Sequence, residues 1–292
     1  MFRVICAMVT PFNSCNGPID HAWVPLQLRF LQHQGIDGVL ILGTTGEGGS
    51  LGLEERKQLI DTVMEHRGDL SVLVSSGSSV LTETIELSRY ALERGADALL
   101  LIPPFYFRNV AEHGVLQYYR AVCDAFPAQA RLLLYHVPQI SGIALTPAII
   151  DGLLASHPHQ LMGIKDSSGD PQHTAALVQR YPHLQMYSGS DSQAAPSLAA
   201  GASGMVSALA NGWPDLVQAV FLAHQQGGDT EKAQARLSAV RQALRPFVLI
   251  PAIKAAVGQR DDCWPTSVRL PLQNLTEAEM ALLCTALQML EP

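Results

Sequence analysis

The chain has 292 residues, 48% hydrophobic and 15% charged, with a formal charge of −7. That is apolar sequence enough for one large core, or for a barrel with a small appendage. The acidic balance (pI near 5.8) without a basic cluster argues against nucleic-acid or polybasic membrane binding. No apolar run reaches the roughly 18 residues of a membrane span, and the opening Met1-Phe2-Arg3-Val4-Ile5-Cys6 lacks the three regions of a signal peptide. The cysteines (Cys6, Cys15, Cys123, Cys263, Cys284) are odd in number and scattered, without C-x-x-C. The expected setting is therefore a reducing cytoplasm, with neither a disulfide framework nor a structural zinc.

In chain order, short apolar, β-branched-rich runs fall at residues 4–9, 38–42, 71–75, 98–102, 131–136, 161–165, 184–188 and 204–208. Between them lie stretches with apolar residues three and four apart, such as 81–94 and 113–126, the first stopping at Gly95. Continuous apolar strands alternating with helices predict a parallel sheet covered on both faces. Eight units in about 210 residues fit a (β/α)8 barrel of the TIM type. A doubly wound sheet is the competing topology. It calls for a glycine-rich turn after the first strand, and this one ends in Thr10-Pro11-Phe12-Asn13. After residue 226 the strand rhythm stops, and 230–244, 246–258 and 276–290 read as helices, the last opening on a capping box at Thr276-Glu277-Ala278-Glu279. The expected organisation is a barrel over 1–226 and a helical appendage over 227–292.

Catalysis in such a barrel sits at the C-terminal strand ends. Of the four lysines (Lys57, Lys165, Lys232, Lys254), only Lys165 ends an apolar run; the other three are read as members of polar or amphipathic helices. Desolvation there favours a neutral amine, a nucleophile toward carbonyls suited to Schiff-base chemistry. The alternative is a strand-end lysine that extends its ammonium into water. Residues 43–47, Gly43-Thr44-Thr45-Gly46-Glu47, offer hydroxyls and backbone N–H groups that can hold a carboxylate, or form a plain polar turn. They match no phosphate loop. Tyr135 is either a barrel-core aromatic or an acid/base near the amine. His136 points to the opposite side of its strand and is read as structural, and the histidines form no ligand pattern such as H-E-x-x-H.

Three segments, Gly43-Thr44-Thr45-Gly46-Glu47, Tyr135-His136-Val137-Pro138 and Gly163-Ile164-Lys165-Asp166-Ser167-Ser168-Gly169, occur in this order and spacing. Together with the C-terminal Val268-Arg269-Leu270-Pro271-Leu272, they resemble the dihydrodipicolinate synthase / N-acetylneuraminate lyase family of pyruvate-dependent class I aldolases, across the whole chain. The resemblance implies a barrel with a C-terminal helical bundle, a homotetramer or dimer, and small-molecule 2-keto-acid substrates without metal or organic cofactor. It makes Lys165 the Schiff-base lysine and Tyr135 the catalytic tyrosine, with Thr44 linking Tyr135 to Tyr106, a residue that many members donate across a subunit interface. Thr45 and the adjoining Gly46 fall at the pyruvate-carboxylate site, and the Val206 backbone touches the same pyruvate. Gly189, Ser190 and Asp191 are expected to line the variable half of the pocket.

One departure from the synthase pattern stands out. Synthases carry an arginine five residues after the tyrosine, where it holds the carboxylate of the aldehyde substrate. Here that position is Ile140, which cannot pair with a carboxylate. The resemblance then leans to the branch that cleaves 2-keto-3-deoxy sugar acids or sialic acid, with Arg108 a possible distant charge. Dihydrodipicolinate synthase, a Schiff-base sugar-acid dehydratase and a non-catalytic 2-keto-acid-binding barrel stay open.

Overall fold

The computed structural model describes residues 3–259 and 264–290, so Met1, Phe2 and Cys263 lie outside it. Eight parallel strands close into a barrel in sequence order: β1 Val4–Ala7, β2 Gly38–Ile41, β3 Ser71–Ser75, β4 Ala98–Leu101, β5 Leu132–His136, β6 Leu161–Asp166, β7 Gln185–Ser188 and β8 Gly204–Ser207. Each apolar run became a strand with ends within two or three residues of expectation. The runs are apolar throughout because both faces are buried. One face fills the barrel with Ile5, Leu40, Leu73, Leu100, Leu133, Tyr135, Tyr187 and Val206. The other packs on the surrounding helices through Val39, Val72, Leu99, Leu134 and Ile164.

The pairing of β5 with β6 is irregular. Leu132 faces Leu161, but Leu133 faces Gly163, so Met162 is an extra residue on β6. Leu161 packs toward the helices and Met162 toward the barrel interior. Strict alternation from Leu161 would turn the residue four further on, Lys165, toward the helices as well. The extra residue reverses that parity. Lys165 pairs with Tyr135 on one side and Tyr187 on the other, at the mouth of the barrel.

Helices Thr230–Ala243, Leu249–Gly258 and Glu277–Gln288 form the C-terminal region. The capping box is present: Thr276 accepts from the Glu279 N–H, while Glu279 accepts from the Thr276 N–H at 2.8 Å. One expectation fails here. Lys254, read as a lysine of a polar or amphipathic helix, is 0% exposed, in a helix buried from Pro251 to Val257. Its Nζ donates to Glu47 Oε1 at 2.5 Å and to the Ser267 carbonyl at 2.7 Å. Removing one partner of such a buried pair leaves a bare charge and costs on the order of 3–5 kcal/mol.

Candidate active site

At the C-terminal end of β6, Lys165 is buried with its Nζ 4.3 Å from the centroid of the Tyr135 ring. Gly189, just past β7, leaves room for this side chain: a Cβ there would meet Ser167 Oγ at 1.9 Å and Lys165 Cε at 3.0 Å. Any larger residue would push into the lysine, which gives that glycine a steric reason.

The Tyr135 hydroxyl lies among Lys165, Ser167 and Thr44. Burial works against its ionisation, but the Lys165 charge and hydrogen bonds from Ser167, Thr44 and Lys165 outweigh burial and bring its pKa below the usual tyrosine value. A phenol whose anion is stabilised this way gives up and takes back its proton more readily than a free tyrosine. Ser167 is a contributor that the sequence reading did not single out. It lies two residues beyond the lysine, and only the turn after β6 folds it back.

The segment after β2 is a compressed turn. Glu47 donates its N–H to Thr44 O at 3.1 Å, and Gly48 to Gly43 O at 3.1 Å. Leu42 and Glu47 take positive φ, 61° and 54°, a conformation that costs a side-chain-bearing residue on the order of 1 kcal/mol or more. Gly46 and Gly48 allow the close approach, since a Cβ would meet Met8 O at 2.8 Å and Leu42 O at 1.9 Å respectively. Thr44 is exposed at the turn and Thr45 half-buried.

A cavity of about 280 Å³ opens beside these groups, lined on its polar side by Thr44, Glu47, Arg56, Ser78 and Tyr135 and on its apolar side by Ile102, Phe105, Ile140, Ile250 and Leu272. Thus Thr44, Tyr135 and Ile140 meet in one space, and the C-terminal region supplies Ile250 and Leu272 to its wall. Arg108 packs against the backbone at Gly142: its Cγ lies 2.9 Å from where a Cβ on Gly142 would stand. Val206 is in the barrel interior layer with Tyr135. Ser190 makes a hydroxyl contact of 3.2 Å with Ser192 at the rim. Lys165, Thr45, Gly46, Gly189, Ser190 and Val206 are not among the residues lining this cavity. Asp191, expected as pocket lining, instead turns its carboxylate to the Ser207 hydroxyl and the Leu209 N–H. Tyr106 does not reach Tyr135 within its own chain: it is 76% exposed and packs edge-on against Phe107, with ring centroids 5.1 Å apart.

Behind the lysine, on the helix side of the sheet, His136, Asp166 and His173 gather within 4.8 Å. Their atoms are already engaged. His136 Nδ1 accepts from the Leu145 N–H, and Asp166 accepts from His173 Nδ1, Thr174 Oγ1 and the Ser168 N–H. The two imidazoles stack at 4.3 Å and 19°, so their in-plane lone pairs run side by side rather than converging. This suits a hydrogen-bonded strut for the end of β6 better than a metal site, and it agrees with the structural reading of His136. Burial and the neighbouring His173 push His136 down to about 4, against the pull of Asp166. Burial would raise Asp166, yet the hydrogen bonds from His173, Ser168 and Thr174 hold it at about 2. The bond to Asp166 raises His173 despite its partial burial.

These shifts set the acid behaviour. Below the ordinary histidine value of 6.5 the unfolded chain protonates at residue 136 while the folded chain does not, until about pH 4. Stability is therefore expected to fall as pH drops through that window, by about 3 kcal/mol at its lower end. Asp166 adds a further loss only below its ordinary 3.8. His173 acts in the opposite sense: its contribution is complete below 6.5 and fades as pH rises through its raised pKa. Urea midpoints measured at neutral pH and near pH 4.5 check this, and His136→Gln should flatten the slope. An unchanged slope in the variant would refute the assignment.

Comparison with known proteins gives a consistent result. The model of the dihydrodipicolinate synthetase family matches residues 1–290. An "uncharacterized DapA-like lyase" of Chloroflexus aurantiacus is 50% identical over 283 residues, 97% of this chain and 95% of the relative. A 4-hydroxy-tetrahydrodipicolinate synthase of Pelobacter propionicus is 31% identical over 289 residues, 97% of each chain. Among solved structures, YagE from E. coli K12, a prophage protein belonging to the dihydrodipicolinic acid synthase family and solved in complex with pyruvate, superposes with a TM-score of 0.91. It is 30% identical, with 99% of this chain and 98% of that one covered.

Proposed function

This chain belongs to the dihydrodipicolinate synthetase family of class I, pyruvate-dependent aldolases and lyases, and from that premise we propose that it reversibly cleaves a 2-keto-3-deoxy sugar acid to pyruvate and an aldehyde. The observation that carries the reading is the Lys165–Tyr135 pair across β5 and β6, of which Tyr135 lines a cavity that also carries the apolar Ile140.

The steps follow from those groups. The Lys165 amine adds to the C2 carbonyl, and Tyr135 passes the proton that lets water leave the carbinolamine. With the iminium formed, Tyr135 takes the proton of the C4 hydroxyl. The C3–C4 bond breaks, its electron pair enters the iminium to give an enamine, and the aldehyde departs. Protonation at C3 and hydrolysis return pyruvate and the free amine. The Thr44-Thr45 turn holds the carboxylate throughout, as preorganised electrostatic binding. Tyr106 is exposed beside Phe105 and Phe107, which supports the role that the homotetramer or dimer reading gives it, entry into a second copy's site.

Ile140 favours the sugar-acid reading over the synthase reading. A second carboxylate, as in aspartate semialdehyde, would meet an aliphatic wall at Ile140 and lose hydration worth several kcal/mol unless it reached Arg56, which lines the same cavity. A neutral polyhydroxy aldehyde carries no such charge. The experiment is a screen of 2-keto-3-deoxy acids for pyruvate release, run beside a coupled synthase assay with aspartate semialdehyde. Ile140→Arg is expected to raise kcat/KM for aspartate semialdehyde by about tenfold or more through a bidentate contact. Wild-type synthase activity at about 10⁴ M⁻¹s⁻¹ or above would replace the lyase reading with the synthase one.

A further inference from the structure

The fully buried Lys254 takes no part in these steps. Its partner, Glu47, closes the turn that carries Thr44 and Thr45, and both oxygens of that carboxylate are committed to the C-terminal region: Oε1 to Lys254 Nζ at 2.5 Å and Oε2 to the Arg269 N–H at 2.8 Å. Lys254 Nζ also stands 4.2 Å from the centroid of the Phe12 ring, and the Arg269 guanidinium 4.6 Å from the same ring. Arg269 goes on to clasp Glu55, at the start of the helix that follows the turn, at 2.8 and 2.6 Å, and donates to the Ser50 carbonyl at 3.2 Å.

We propose that the buried Glu47–Lys254 pair is the positioning device of the Thr44-Thr45 turn, so that the C-terminal helices set the affinity for the 2-keto-acid carboxylate. This rests on the reading of that turn as the carboxylate site. Two arguments converge. Leu42 and Glu47 hold positive φ, a conformation that persists only where the surroundings over-determine it, and Glu47 is the residue through which the C-terminal region grips the turn. The second argument is charge. A bare carboxylate two residues from Thr45 would repel an anionic substrate. With Lys254 paired to it, the turn presents no net negative charge. Burial and Arg269 push Lys254 down to about 8 against the pull of Glu47, which leaves the ammonium charged at neutral pH. Lys254 and Glu47 are thus positioning residues, with Arg269 and Glu55 as the charged groups packed around them.

The test uses Lys254→Met and the double variant Glu47→Gln/Lys254→Met, which removes both charges together and so avoids a lone buried carboxylate. Each is assayed by borohydride trapping of pyruvate on Lys165 across pyruvate concentration, and by amide hydrogen exchange over residues 43–49 without ligand. Half-saturating pyruvate is expected to rise about tenfold or more, while the limiting trapping rate stays within about threefold, since misplacing a binding group costs binding and leaves the amine intact. Exchange over residues 43–49 should quicken by a similar factor of about ten. If Lys254→Met does not fold, the double variant decides. A folded variant with wild-type half-saturation and wild-type exchange overturns the proposal. So does a collapsed limiting rate at unchanged half-saturation, which would tie the pair to the amine. Wild-type protein that traps no pyruvate would sink the functional reading instead, and exchange over residues 43–49 would then decide the positioning claim alone.

Discussion

Lys165→Met is expected to lose turnover by on the order of 10⁴-fold or more, the scale seen when an enzyme's nucleophile is deleted. The wild-type protein should be inactivated by pyruvate plus borohydride, with the reduced adduct mapping to the peptide that contains Lys165. The reason is positional. Lys165 is the lysine whose Nζ meets Tyr135 at the barrel mouth. Lys57 is bound up in ion pairs with Glu54 and Glu86 on the outer helices. Lys254 has the more telling claim as a rival, because burial brings its pKa to about 8, within reach of a neutral amine. It is nonetheless fully enclosed and held by Glu47 and Ser267, so a keto acid has no route to it. An adduct on Lys57, Lys232 or Lys254 would remove Lys165 from the mechanism.

Tyr135→Phe should lower kcat by about 10²-fold or more, close to 3 kcal/mol of transition-state stabilisation. The ring remains, so packing against Leu133 and Val206 in the barrel interior is kept. What disappears is the hydroxyl and its bonds to Thr44, Ser167 and Lys165. Pyruvate affinity should change less than kcat, because the carboxylate is assigned to the turn and not to the phenol. Steady-state kinetics with circular dichroism as a folding control checks both halves. Near-normal turnover in a folded variant would leave the proton transfers without Tyr135.

Much of this was legible in sequence, for reasons that can be stated. The strands announced themselves because a parallel barrel buries both faces, so β2 and β4 read as unbroken apolar runs. Lys165 and Tyr135 could be found because chemistry in this architecture collects at strand ends, and both sit there. Lys254 and Glu47 could not be found that way. A buried charge is recognisable only by its partner, and these partners are 207 residues apart. Pro251-Ala252-Ile253-Lys254-Ala255-Ala256-Val257 looks like any helix with one lysine on it. Asp191 misled for a related reason: its place after β7 suggested the pocket, while its hydrogen bonds go to Ser207 and Leu209. Tyr106 is a third kind of case: the resemblance assigns it to a subunit interface, and within its own chain it lies exposed against Phe107.

The extra residue on β6 has a consequence for how the gene can change. Beyond Met162, the facing of the strand is anchored by its pairings with β5 and β7 at Gly163 through Asp166. Before it, Leu161 answers to the helical layer. Met162 is therefore a length buffer. A codon lost there would straighten the strand, pull the preceding loop in by about 3.3 Å, the rise of one residue, and leave Lys165 facing inward. The same loss between Gly163 and Lys165 would invert the amine toward the helices. Codon deletions scanned along 161–165 should thus be unequal, with survivors concentrated at the position that carries no chemistry.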